Sequence, residues 1–198
     1  IDEEDLSFHK DLGLDFKDAG HELSVEKKER LIEIEKKLIE LGISFSENIA
    51  KDKTELMFLE EELKGLSQNE LQNLRKKGSN FVITMAYPDI NAVSENCSVR
   101  KTREVVWKAF NNRSVKENSP ILEEAVVLRN EKAKLFGFKT WSEYRLQNRM
   151  AQGPSNVSSM YEELIPKLQK AADKEKYELV IDDIKINDIA PWDIRYFV

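Results

Sequence analysis

Between Ser24 and Ala50 the apolar residues Leu31, Ile34, Leu38, Leu41 and Phe45 recur at alternating spacings of three and four, and Ile49 follows one turn later. On a strand these positions would scatter over both faces; on a helix they form one stripe. Ser24 supplies a hydroxyl that can accept from an early, otherwise unpaired N–H, and Glu26 sets negative charge against the positive end of the helix dipole. The stripe lasts under three heptads, too short for a free-standing coiled coil, so its partner is expected within the chain, as in an antiparallel bundle. Gly42 interrupts it at a cost of about 1 kcal/mol relative to Ala, which predicts close packing there.

Other helices announce themselves by their caps. Ser67 and Glu70 have capping-box spacing and predict a helix that Gly78 ends. Val99 to Phe110 carries apolar residues on one side, with Trp107 on the flank. Ser119 and Pro120 predict the start of a helix over 121–136, with Gly137 as its stop. Thr140 and Glu143 form another capping box, for a short helix to about Met150. Pro154 and Ser155 open a further helix with Val157, Tyr161, Leu164, Leu168 and Ala171 facing inward and Pro166 bending it. After Lys176 the pattern blurs through Ile181–Ile184 until Pro191. The apolar run 56–59 and the β-branched, aromatic run 81–87 are expected to pair as an antiparallel ribbon closed by Pro88. The expected fold is mainly α: a helical bundle over 1–198 with one small antiparallel β-ribbon, about 55–59 with 81–87.

The chain has 31 Lys and Arg against 37 Asp and Glu, a net charge of −6, which argues against a nucleic-acid binder. No stretch approaches ~18 uncharged apolar residues, so no membrane span is expected. Cys97 is the single cysteine and cannot form an internal disulfide, which favours a reducing compartment: cytoplasm first, mitochondrion second. A helical zinc motif of the HExxH type needs a second His four residues after the first. His21-Glu22 has Val25 at that position, and His9 is distant, so no catalytic and no metal-binding residue is assigned. Cys97 lacks a surrounding motif for thiol catalysis. Glu60–Glu62 and Arg75–Lys77 read as solvated faces, and Trp107 and Trp141 as core. One segment has a different texture: Trp192, Asp193, Arg195 and Tyr196 place an acid and a base among rings. They are the candidate site residues, either a pair orienting an aromatic helix or part of a cleft wall.

Several strings follow one another in the order seen in a known family. They are Phe16–Leu23 (FKDAGHEL) before the Ser24 helix, Phe45–Asn48, and Glu61–Leu66 (EELKGL). Then come Tyr87-Pro88, Arg103–Arg113 (REVVWKAFNNR), Leu128-Arg129, Leu135–Phe138, Met150-Ala151 and Pro191–Tyr196 (PWDIRY). The ordered set resembles the thimet oligopeptidase family of zinc metallopeptidases. Phe197 stands where the family usually has a second tyrosine, and the stretch between Ala172 and Trp192 is shorter than the family's. The resemblance implies a mostly helical zincin-type endopeptidase that cuts short peptides in a deep channel. Its zinc-polarised water attacks the peptide carbonyl with a glutamate as general base. In that family the HExxH helix follows the Trp-Asp segment. This chain, beginning at Ile1 and ending at Val198, is therefore expected to be the portion before it: channel wall and scaffold, inactive alone and binding no zinc. The expected partners are short peptides in the intact parent and the missing catalytic half. The rival expectation is a free-standing helical interaction protein without enzymatic activity.

Overall fold

The structure, a computed structural model, describes residues 2–178 and 189–197; the blurred stretch around Ile181–Ile184 lies outside them. The chain divides into two units, residues 1–47 with 116–161 and residues 48–115 with 162–198.

In the first unit, α1 (Glu3–Asp18) is opened by an Asp2–Asp5 capping box and buries none of its residues, and its exposed Leu6, Phe8 and Phe16 lack the periodic stripe by which helices are recognised. α2 (Val25–Ala50) behaves as its stripe predicts: Leu31, Ile34 and Leu41 are buried, and Leu38 and Phe45 are partly so. Ile34 and Leu41 pack with Leu128 of α6 (Val115–Leu135), flanked by Ile121, Ala125 and Leu135. A bidentate Arg30–Glu131 pair (2.7 and 3.0 Å) and a Lys132–Glu35 pair (2.7 Å) run alongside. Gly42 does not mark close packing, since nothing lies within 4 Å of where its Cβ would be. Pro120 sits inside α6 rather than at its start. Gly137 adopts φ +84°, the left-handed conformation of a helix stop. α7 (Trp141–Leu146) starts from the expected Thr140–Glu143 capping box, and Tyr144 stacks on Phe136 with ring centroids 5.1 Å apart.

The second unit holds the denser core. β1 (Glu55–Phe58), β2 (Arg75–Lys77) and β3 (Asn80–Thr84) form an antiparallel sheet in the order β1-β3-β2, with Leu56 opposite Ile83 and Lys76 opposite Phe81. The ribbon is thus present with a third strand, which the charged Arg75–Lys77 run conceals because none of its side chains is buried. α3 (Gln68–Asn73) is shorter than expected, and Gly78, at φ +63°, turns the β2–β3 hairpin instead of ending the helix. Pro88 does not close a strand: it lies in the first turn of α4 (Tyr87–Asn96), where proline's missing N–H costs nothing. Asp89 secures that corner by accepting from the Thr84 N–H and hydroxyl at 2.8 and 2.6 Å. Phe58, Leu63, Phe81, Ile83, Val93 and Val106 of α5 (Arg100–Asn111) lead the core, with Cys97 among them. Gly65, at φ +102°, is required where its backbone meets the Asn96–Ser98 turn, since a Cβ would lie 2.1 Å from the Asn96 carbonyl oxygen.

α8 (Pro154–Glu178) carries Pro166 inside it as expected, but its apolar face is not turned inward. Tyr161, Leu164 and Leu168 are 50%, 39% and 55% exposed, because no other described element covers them. Trp107 and Trp141 are half-buried, at the margin of the core rather than within it. No helix among the described residues is long and apolar enough to cross a membrane.

Candidate functional site

The segment with the acid and base among rings is α9 (Pro191–Phe197), set against α4 and α5 within the second unit. Asp193 lies in its first turn and is fully buried. One carboxylate oxygen, Oδ1, accepts from Arg103 Nη2 at 2.8 Å and from Arg100 Nε at 3.1 Å. The other, Oδ2, accepts from Arg100 Nη2 at 2.8 Å and from the Ala190 N–H at 3.0 Å. Burial of a lone carboxylate is costly, but here both oxygens are filled by charge-assisted donors. Burial pushes the Asp193 carboxyl up, and the hydrogen bonds from Arg100, Arg103 and Ala190 outweigh it, holding the group below its ordinary value and ionised.

Arg103 is equally committed. Its side chain is 2% exposed, Nη1 donates to the Cys97 carbonyl (2.8 Å), Nε donates to the Trp192 carbonyl (3.2 Å), and the guanidinium lies over the Tyr196 ring at 4.1 Å. Arg100 closes the carboxylate from the solvent side, with its side chain 42% exposed. Trp192 meets the Trp107 ring edge-to-face at 5.8 Å, and the Lys108 ammonium lies 5.2 Å from its centroid. Its buried Nε1 has no acceptor among the described residues.

The expected pairing inside α9 is therefore corrected. Arg195 does not meet Asp193 but reaches α4, where it donates to Asn91 Oδ1 at 2.5 Å and approaches Glu95 at 3.6 Å. The true partners stand about 90 positions earlier. A local reading could not name them, although one signal was present: Arg103 falls on the same helical stripe as Val99, Val106 and Phe110, where a charge demands a buried counter-charge.

In this arrangement the ionised groups are spent on one another. Asp193 is sealed behind two guanidinium groups, so it cannot exchange a proton with a substrate. Cys97 is buried, and burial pushes its thiol up, away from the nucleophilic thiolate. His9 and His21 rest beside the Phe8 and Phe16 rings, at 6.2 and 5.1 Å. Among the described residues no three His, Cys, Asp or Glu side chains converge as metal donors. The donor set does not fit a catalytic zinc, which needs three such ligands and an open position, and no catalytic step is assigned to these residues.

The profile of peptidase family M3 matches residues 93–198, more than half of the chain and all of the Arg100–Arg103–Asp193 cluster. The chain belongs to peptidase family M3. Within that family its relatives are of the thimet oligopeptidase kind. It is 40% identical to the thimet-like oligopeptidase of Dictyostelium discoideum over 77% of the present chain. It is 32% identical to oligopeptidase A of Haemophilus influenzae and 31% identical to saccharolysin of Saccharomyces cerevisiae, each over 92% of the chain. The chain is short beside them: its matched part spans 23%, 30% and 28% of the length of those three proteins.

Proposed function

We propose that residues 1–198 are a non-catalytic helical portion of a thimet-oligopeptidase-like metalloendopeptidase, a scaffold whose intact parent hydrolyses short peptides. The observation that carries this reading is the Asp193 cluster. It lies inside the M3 match and locks α9 onto α5 through charge-assisted bonds from the Arg100 and Arg103 guanidinium groups, yet presents no titratable group to a substrate. Trp192, Asp193 and Tyr196 then serve as positioning residues that fix the aromatic face of α9, and Arg195 ties the same helix to α4. In the parent, zinc supplies Lewis-acid chemistry through residues other than these.

The exposed apolar faces favour this reading over a free-standing interaction protein. Tyr161, Leu164 and Leu168 of α8 lie on one exposed helical stripe, and α1 adds the exposed Leu6, Phe8 and Phe16 without a stripe of its own. The remainder of an M3 peptidase is the partner we propose for them. Cytoplasm, or the mitochondrion, suits the single cysteine, and the relatives include a mitochondrial intermediate peptidase of Chaetomium globosum, 24% identical.

The test uses the purified chain with a quenched-fluorescent peptide, alone and mixed with the zinc-bearing remainder of an oligopeptidase A. The chain alone should bind no stoichiometric zinc and cleave nothing; the mixture should recover metal-dependent turnover. Turnover by the chain alone overturns the proposal, and so does a mixture no more active than the added remainder.

A further inference from the structure

The two edges of the small sheet differ in a way the scaffold role leaves unused. β2 presents Arg75, Lys76 and Lys77 to solvent, a row of like charge that discourages another strand from pairing. β1 carries no such guard. Met57 is 55% exposed and Leu59, just beyond the strand, 40%. Among the described residues the backbone of Glu55–Phe58 bonds to no main chain outside the sheet.

At the Glu55 end, a groove of about 480 Å³ opens between the end of α2 (Ile49, Ala50), the start of β1 (Thr54, Glu55) and the Thr84–Ala86 corner, with Arg113 on its wall. That volume lies within the range of binding pockets. The guanidinium of Arg113 is held in place: Nε donates to the Phe110 carbonyl at 2.8 Å, and the group sits 3.7 Å from the centroid of the Phe110 ring. The carboxylates of the groove are already engaged. Asp52 accepts from the Thr54 N–H at 2.9 Å, and Glu55 is paired with Arg75 and Lys77 at 2.5 and 2.6 Å. No carboxylate among the described residues pairs with Arg113. The groove thus holds a fixed cation without its anion, next to an unguarded strand.

We propose that this groove binds the C-terminal end of a short extended peptide, its carboxylate on Arg113 and its main chain running antiparallel along β1 toward Phe58. One rigid guanidinium can pair a monoanionic carboxylate through two parallel N–H bonds and balances its single charge, which it cannot do for a doubly charged phosphate. The bare edge then supplies a ladder of main-chain bonds, the usual basis of affinity in strand addition. The choice of a peptide as occupant rests on the oligopeptidase reading; the site itself rests on the groove and Arg113.

The test is calorimetric titration of the full chain with Ac-Ala-Val-Ala-Val-Ala bearing a free C-terminus, with its C-terminal amide, and with a version N-methylated at alternate residues. The free acid should bind about tenfold more tightly than the amide, and N-methylation should abolish binding. Arg113→Gln should erase the preference for the acid, and Arg113→Lys should restore part of it, with circular dichroism reporting that both variants are folded. Equal binding of acid and amide, no saturation at millimolar peptide, or a preference that survives Arg113→Gln overturns the site. None of these readouts involves turnover, so this site can fail while recovery of activity in the mixture succeeds, and the reverse.

Discussion

Asp193 and Glu55 each face two cationic side chains, yet they occupy opposite surroundings. Asp193 is sealed between Arg100 and Arg103 beneath α9. Glu55 reaches across β3 to Arg75 and Lys77 on the solvent face of the sheet, because residues 55, 75 and 77 share the side that Phe81 and Ile83 do not. The same pairing does different work in the two places. In water, ions are solvated with or without a partner, and an exposed pair adds little. Out of water, each charge depends on its partner, so loss of one strands the other.

The largest expected effect therefore comes from Asp193→Asn. With two guanidinium groups left uncompensated and one of them buried, the variant should lose about 3–5 kcal/mol in urea unfolding. Next is the contrast between the two arginines. Arg103→Met should cost about 3 kcal/mol, whereas Arg100→Met, on the half-exposed side, should cost about 1 kcal/mol; equal losses would show that burial is not what separates the pairs. The pH dependence follows with its sign fixed. The Asp193 carboxyl is held below its ordinary value in the folded chain. Its contribution is complete above the unfolded value of about 3.9 and fades as pH falls through the lower folded one. The gap between wild type and Asp193→Asn should narrow only in acid. Smallest is Glu55→Gln. The pairs with Lys77 and Arg75 lower the Glu55 carboxyl from 4.5 to about 2, so any contribution persists above pH 4.5 and disappears toward 2. Its melting curve should nonetheless nearly overlay that of wild type, and about 1 M salt should remove the remaining difference.

How legible each region was in the sequence follows the same division between near and far. α2 could be placed from its stripe, and the Thr140 and Ser67 helices from their caps, because those signals lie within a few residues. α1 has no buried face and so no period to detect. α4 was hidden by Pro88, which ends a strand and begins a helix equally well. β2 carries only charge, and strand pairing across a turn is what makes Arg75–Lys77 a strand. In the candidate site, Asp193 and its rings could be singled out locally. Arg100 and Arg103 could not be assigned to them, since only the packing of α5 against α9 joins residues some ninety positions apart. The exposed face of α8 marks the remaining limit: its stripe identifies an apolar face, but a stripe alone does not say what packs on it, and no described element covers Tyr161, Leu164 or Leu168.

Cys97, wholly enclosed and the one thiol in the sequence, turns this chain into its own opening gauge. Its sulfur contacts the Glu62 carbonyl, and the Cys97 carbonyl accepts from Arg103 Nη1. An alkylating reagent can reach it only when the core around it opens, so the modification rate counts those excursions directly. A variant that loosens the buried carboxylate should be alkylated faster long before it melts.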